Sequence, residues 1–243
     1  MNSNNKVSEL KARLKLLEDE NKALLKLASH DIRSPLNKLF ALLNLLKMAD
    51  EPLAEEQSGY VEKMELVLSD GLQRMRNLTE LYTIESGSVQ SLLEELTLAS
   101  LISRSLREHK VSAERKNIRF QFTDEPVTTH SDRLSLLRIF DQLMTNAIKF
   151  TPLGKTIKIK LRQEKNFALL SVIDGGYGIR EEEQEFLFQK FKVLSTPVTG
   201  GESKTGIGLF IAQWNAKNIG GEISYENVNE STFTLKLPLV QLA

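Results

Sequence analysis

The chain contains no cysteine, which excludes disulfides, thiolate metal sites and cysteine nucleophiles. Its only histidines are His30, His109 and His130, so each can be weighed by its own context. No apolar run approaches the roughly 18 residues of a membrane span, and the start lacks a signal-peptide core. We therefore expect no membrane segment in this chain and a cytoplasmic location, with room for it to be the soluble part of a longer membrane protein. Charge of one sign is also missing: 32 basic residues balance 32 acidic ones. With no net field, neither nucleic acid nor an anionic membrane is expected as partner. What is present is ordinary for soluble globular protein, 41% hydrophobic and 26% charged over 243 residues, enough for two domains.

The apolar pattern changes character along the chain. Val7, Leu10, Leu14, Leu17 and Leu24 follow a heptad, with Asn21 where an apolar residue is due. Heptads predict helices paired along a seam, and one buried Asn sets register at some cost in stability. The stripe continues through Leu36, Leu39, Leu43 and Leu46 and breaks at Ala49-Asp50-Glu51-Pro52, a turn cluster. A second stripe runs through Val61, Met64, Leu68, Met75, Leu78 and Tyr82 to a stop at Ser86-Gly87. One hairpin cannot bury two such faces, so dimerisation of the antiparallel hairpin into a four-helix bundle is predicted.

After Ser86 short β-rich runs appear at Ile118–Phe122, Thr156–Leu161, Ala168–Ile173, Glu222–Tyr225 and Thr232–Leu237. Helical segments lie among them at Ala99–Lys110, Ser131–Phe150 and Gly208–Asn218. This grammar predicts an α+β class with helices covering one sheet face. The expected domains are a coiled-coil leader at 1–24, a helical hairpin at 25–88 and an α/β sandwich at 93–243. The connection from Gly175 to Thr205 is long and rich in Ser, Thr, Pro and Gly, as loops over ligand sites commonly are.

Four stretches in this frame carry residues suited to chemistry, and the first is costly unless chemistry needs it. Ser29-His30-Asp31-Ile32-Arg33-Ser34-Pro35-Leu36 puts a histidine, an acid and a proline into a helical pattern, where all three are poor choices. An imidazole projecting from a helix can be a nucleophile, and the adjacent Asp31 carboxylate can orient it and accept its proton. Downstream, Gln142 and Asn146 share a helix face at i, i+4 with Lys149 beside them. Neutral amide oxygens suit a hard cation whose charge is balanced by phosphates. Asp174-Gly175-Gly176-Tyr177-Gly178 follows a strand directly; its glycines permit close backbone approach, and its carboxylate can accept from an exocyclic amine. Thr205-Gly206-Ile207-Gly208-Leu209 opens a helix whose free N–H groups and dipole favour an anion. Each signal is weak alone, since solvated helix faces and capped turns look the same; their order is the information.

In that order the motifs resemble the core of a two-component sensor histidine kinase: a dimerisation and phosphoacceptor hairpin, then a Bergerat-type catalytic ATP-binding domain. The resemblance covers nearly everything after about residue 22. It implies that His30 is the phosphoacceptor, with Asp31 its neighbouring acid, and that Ser34, one turn on, positions a water for the reverse, dephosphorylating activity. Asn146, Lys149 and Phe150 stand at N-box positions, Phe150 placed to stack on adenine. Asp174 matches the adenine-binding carboxylate, with Gly176 and Gly178 its companions. Phe188 and Phe191 match the F box with Lys190 at its basic position, and Thr205, Gly206, Gly208 and Leu209 match the last glycine-rich motif. ATP and Mg²⁺ are the implied cofactors, the metal held by Asn146 and Gln142. A second copy of the chain and a response regulator receiver domain are the implied partners. The resemblance makes the chain an ATP-dependent protein-histidine kinase. Departures are Gln142 where a second asparagine is usual, Lys204 where glycine is frequent, and Ser34 where threonine or asparagine is common. They motivate one alternative, a non-catalytic scaffold that heterodimerises with another kinase. The other alternative, an ATPase of the gyrase and chaperone type, needs a general base for water that Asp141 and Gln142 do not clearly supply. His109 and His130 lack an acid-proline context and read as structural or exposed.

Overall fold

The computed structural model describes residues 15, 32–33, 36–47, 53–87, 91–199 and 204–239. The expected sites His30, Asp31 and Ser34 lie outside the described residues, as do the Val7–Leu24 heptad and the turn cluster at 49–52. The chain divides into two compact units, Met1–Val89 and Gln90–Ala243.

In the first unit, α1 spans residues 36–47 and α2 spans Glu55–Glu85. Contacts pair low numbers with high ones: the Arg33 guanidinium donates to Thr79 Oγ1, and Lys47 Nζ lies 3.1 Å from Glu65 Oε2. The two helices are therefore antiparallel. Leu43, Val61 and Leu68 form the buried seam, with Leu36, Phe40 and Leu53 packed around it. Gln57 Oε1 accepts the Ala54 N–H at 3.0 Å, and Glu55 and Glu56 complement the dipole of the first turn. The helix stops at Gly87, whose φ of 66° few other residues would adopt. Leu39, Leu42, Leu45, Leu46, Met64 and Val67 remain exposed, so each helix keeps an apolar face that the other does not cover.

The second unit is a five-stranded sheet with helices α3 (Leu98–Glu114), α4 (Arg133–Phe150) and α6 (Gly208–Asn218) sharing one core with it. The strand order is β2-β4-β5-β7-β6, from Arg119–Asp124, Thr156–Glu164, Phe167–Asp174, Ser231–Pro238 and Glu222–Asn227. Only β2 and β4 run parallel. Alternation shows directly in β4: Ile157, Ile159 and Leu161 are buried, and Lys158 and Lys160 are not. On α4, Leu136, Ile139, Phe140, Leu143, Met144 and Ala147 recur at three and four residues and are nearly inaccessible. Two small strands, β1 (Leu93–Thr97) and β3 (Thr128–Asp132), pair separately and were not anticipated. β3 also takes Ser131 and Asp132, which the sequence pattern assigned to the helix. The reason is capping: Asp132 stays extended (ψ 115°) and accepts the Ser135 N–H at 2.7 Å. Asp132 Oδ1 further accepts the Leu92 N–H at 3.0 Å. Burial would raise its pKa, but the hydrogen bonds from Ser135 and Leu92 outweigh it and hold the carboxyl below its ordinary value. His109 is buried between α3 and α4, its Nε2 3.3 Å from Asp141 Oδ1, and His130 is exposed.

Candidate functional site

Strand β5 ends on Asp174, only 3% exposed. Its Oδ1 accepts the Gly176 N–H and its Oδ2 the Ser231 hydroxyl, both at 2.8 Å. Burial pushes the Asp174 carboxyl above its ordinary pKa, with Glu230 adding to the rise, and the two hydrogen bonds oppose it. A strand pairing puts Ser231 directly opposite Asp174 in β7. Tyr225 closes the same corner: its hydroxyl accepts the Ile179 N–H at 2.9 Å, and burial raises its pKa.

The turn after Asp174 must be glycine. A Cβ at Gly176 would stand 2.7 Å from Asp174 Oδ1 and 3.0 Å from the Phe150 carbonyl oxygen, and Gly178 has φ 71° against the Asn227 side chain. The end of α4 thus sits on the Asp174 turn. Gln142, Asn146 and Phe150 follow one another at i, i+4 along that helix. Asn146, Lys149 and Phe150 are half-buried, and Gln142 is 7% exposed. Gln142 Oε1 faces Gly208, where a Cβ would come within 2.6 Å of it. The second glycine-rich turn therefore abuts the same helix face. Gly206 has φ 66°, and a Cβ there would strike the Lys192 backbone at 2.5 Å. Its carbonyl accepts the Phe191 N–H at 2.9 Å, which ties the exposed Phe191 to the start of α6. Phe188 and Leu209 pack against the core, Thr205 is half-buried, and exposed Lys190 lies 4.9 Å from the Phe210 ring centroid.

The connection from Gly178 toward α6 is fastened by polar clasps. Glu183, in the short helix α5 (Glu181–Gln184), accepts from Ser195 N and Oγ at 2.9 and 2.7 Å. The bonds from Ser195, joined by Arg180, hold the Glu183 carboxyl down at about 2. Lys204 Nζ donates to the carbonyls of Leu194 and Thr196 at 2.7 and 2.5 Å and lies 5.9 Å from the Phe150 ring centroid. Lys116 and Thr199 form a third clasp at the end of α4.

Chemically, this is a buried carboxylate acceptor, an apolar ring, and a helix start with free N–H groups, arranged around one helix face bearing amides and a lysine. Such a set can take a flat amine-bearing heterocycle at one end and an anion at the other. The structure brings together Gln142, Asn146, Lys149, Phe150, Asp174, Gly176, Gly178, Phe191, Thr205, Gly206 and Gly208. Sequence reasoning missed Ser231, Tyr225, Lys116, Thr199 and the Glu183–Ser195 clasp. Only strand register or helix-end geometry reveals them, and neither leaves a local motif.

Residues 131–241 match the histidine kinase-, DNA gyrase B- and HSP90-like ATPase family. The chain is 30% identical over 217 residues to the circadian input-output histidine kinase CikA of Synechococcus elongatus, covering 86% of this chain and 29% of that protein. It is 27% identical over 229 residues to the heme sensor protein HssS of Staphylococcus saprophyticus, covering 93% and 48%. The chain thus spans less than half the length of these two curated relatives. Among solved structures, the catalytic domain of the histidine kinase ThkA aligns at TM-score 0.55 and 27% identity, over 62% of this chain and 99% of that one. The histidine kinase AdeS of Acinetobacter baumannii aligns at TM-score 0.58 over 86% and 98%; at 21% identity it speaks to the fold alone. Among the described residues no helix is long and apolar enough to cross a membrane.

Proposed function

We propose that this member of the sensor histidine kinases, whose residues 131–241 are a histidine kinase-, DNA gyrase B- and HSP90-like ATPase domain, uses ATP to phosphorylate His30. The phosphoryl group then passes to an aspartate on a response regulator. The observation that carries the reading is Asp174: a buried carboxylate at a strand end, oriented by Gly176 and Ser231, against the helix end that bears Asn146, Lys149 and Phe150.

Adenine fits that corner, its exocyclic amine donating to Asp174 and its ring lying on Phe150. The phosphates then reach the start of α6, where the N–H groups after Gly206 and Gly208, together with Thr205, Lys149 and Lys190, meet them. Leu209 and Phe191 line this end. Asn146 fits Mg²⁺ as a half-buried amide; Gln142, its oxygen turned toward Gly208, supports the same region from beneath. Mg²⁺ there would neutralise charge on the phosphate oxygens.

In the first reaction a neutral His30 ring nitrogen attacks the γ-phosphorus. The N–P bond forms, the bond to the β–γ bridging oxygen breaks, and ADP leaves. Asp31 takes the proton from the other ring nitrogen and thereby keeps the attacking one basic. In the second, the N–P bond breaks as a regulator carboxylate oxygen bonds phosphorus, the electron pair stays on the ring nitrogen, and Asp31 returns its proton to the imidazole, so that His30 is neutral again. Ser34 places a water for the opposing hydrolysis, weakly, because its hydroxyl rotates more freely than threonine's. The uncovered apolar faces of α1 and α2 support a homodimer built on the hairpin.

The test is incubation with γ-labelled ATP and Mg²⁺. The expected product carries acid-labile, base-stable phosphate, and His30→Gln loses it while still binding nucleotide. Label retained in that variant overturns the assignment of His30.

A further inference from the structure

The last turn of an α-helix leaves carbonyls without intrahelical partners, and the end of α4 disposes of them in an unusual way. The Ala147 carbonyl accepts the Thr151 N–H at 3.0 Å. The next two go to a side chain from elsewhere in the fold: Lys116 Nζ donates to Ile148 O at 2.7 Å and to Lys149 O at 3.2 Å. Lys116 follows α3, is 8% exposed, and adds its positive charge at the negative end of the helix dipole. Its ammonium also donates to Thr199 Oγ1 at 2.5 Å. Thr199 belongs to the long connection between β5 and α6, and it is bound there twice more. Its N–H meets Lys149 O at 3.2 Å, and its hydroxyl lies 3.0 and 2.7 Å from Lys149 O and Thr151 O.

We propose that Lys116 is a positioning residue for the nucleotide: through Thr199 it locks the β5–α6 connection onto the helix end that presents Asn146, Lys149 and Phe150, and so slows release of bound ATP. This rests on the nucleotide reading of the site. The geometry makes the role specific. One buried ammonium bonds both the end of α4 and the β5–α6 connection, and on the nucleotide reading neither Lys116 nor Thr199 needs to touch the ligand. Breaking the clasp frees the connection to move away from α4, which opens an exit without altering Asp174 or the start of α6. The effect therefore falls on dissociation more than on association.

The experiment uses the full chain, a fluorescent ATP analogue with Mg²⁺, and stopped-flow displacement by excess ATP. Thr199→Val keeps the size and the backbone bond but removes the hydroxyl, and with it both the acceptor for Lys116 and the donor to Lys149 O and Thr151 O. It is expected to release the analogue about tenfold faster, and Thr199→Ser to restore the parent rate. Lys116→Met is expected to match Thr199→Val or exceed it. The double variant should release more slowly than the product of the two single effects predicts, since both cut the bond between Lys116 and Thr199. A purely structural role would lower the melting temperature and leave the release rate of the folded protein unchanged. If the parent binds the analogue and Thr199→Val releases it at the parent rate, the clasp inference fails alone. Additive effects in the double variant, or no rescue by serine, also overturn it. A parent that does not bind the analogue removes the nucleotide reading itself.

Discussion

Replacing Asp174 by asparagine separates a binding role from a structural one, because the fold can accept the amide almost unchanged. The carboxylate holds two donors, Gly176 N–H and Ser231 Oγ–H, each at 2.8 Å. An asparagine can keep Oδ1 on Gly176 and turn Nδ2 toward Ser231, whose hydroxyl rotates to accept. No buried group is then left unpaired, and the cost of burying a charge disappears. The change in stability has a definite sign with pH. Folding raises the Asp174 pKa above its ordinary 3.8. The stabilisation linked to the protonated carboxyl is thus full below that value and lost as pH rises through the raised one. The variant lacks this loss, so at neutral pH it should melt at or above the parent temperature. Nucleotide binding should move the other way. The amide offers a donor where the adenine amine also donates, which removes a hydrogen bond to a charged acceptor of about 1.5–3 kcal/mol, or roughly 10- to 150-fold in affinity. Titration calorimetry with ATP, beside thermal melts of both proteins, measures the two effects. The variant should also lose preference for adenosine over inosine phosphates. Equal ATP affinity in the two proteins would refute the adenine assignment, and loss of cooperative melting would refute the claim that the amide is tolerated.

Three further outcomes are expected. Asp132→Ala removes the cap of α4 and the acceptor for Leu92, and should cost about 2 kcal/mol, roughly 4–8 °C in melting temperature; an unchanged melt would contradict the capping account. Gly206→Ala, strained at φ 66° and set against the Lys192 backbone, should weaken ATP binding well beyond its effect on the melt; parent-like affinity by calorimetry would argue against it. The Glu183 clasp should be complete above the ordinary carboxyl value of 4.5 and weaken as pH falls toward about 2. The Ser195 amide shift in NMR should report that titration, a midpoint near 4.5 would count against the clasp, and Glu183→Gln should show no such step.

Most of the sheet was legible because its strands alternate over five or more residues, and α4 and α6 because their apolar spacing is regular. Helix α6 lies at Gly208–Asn218 as the pattern placed it. β1 and β3 were not legible: Leu93-Glu-Glu-Leu-Thr97 has one fully buried residue, and Thr128-Thr-His-Ser-Asp132 has no apolar side chain at all. Their pairing is specified by each other across some forty residues, which no local window can see. The site divides in the same way. Residues that shape the backbone or present a charge next to a glycine turn leave a motif, and Asp174, Gly176, Gly206 and Gly208 are singled out by it as candidates. Ser231 acts only because β7 lies in register beside β5, and Lys116 only because α3 delivers it to the far end of another helix.

The bond from Leu92 to Asp132 has a mechanical consequence. Asp132 caps the start of α4, and Asn146, Lys149 and Phe150 stand in its final turns. With 18 residues, the helix is a rod about 27 Å long. One end is bolted to the point where the chain enters the unit, and the other packs against the Asp174 turn. Its interior is packed too tightly to bend, since Ile139, Phe140, Leu143 and Met144 have no free surface. A pull or twist applied near residue 91 is therefore resisted by the whole packed rod and not by its first turn alone.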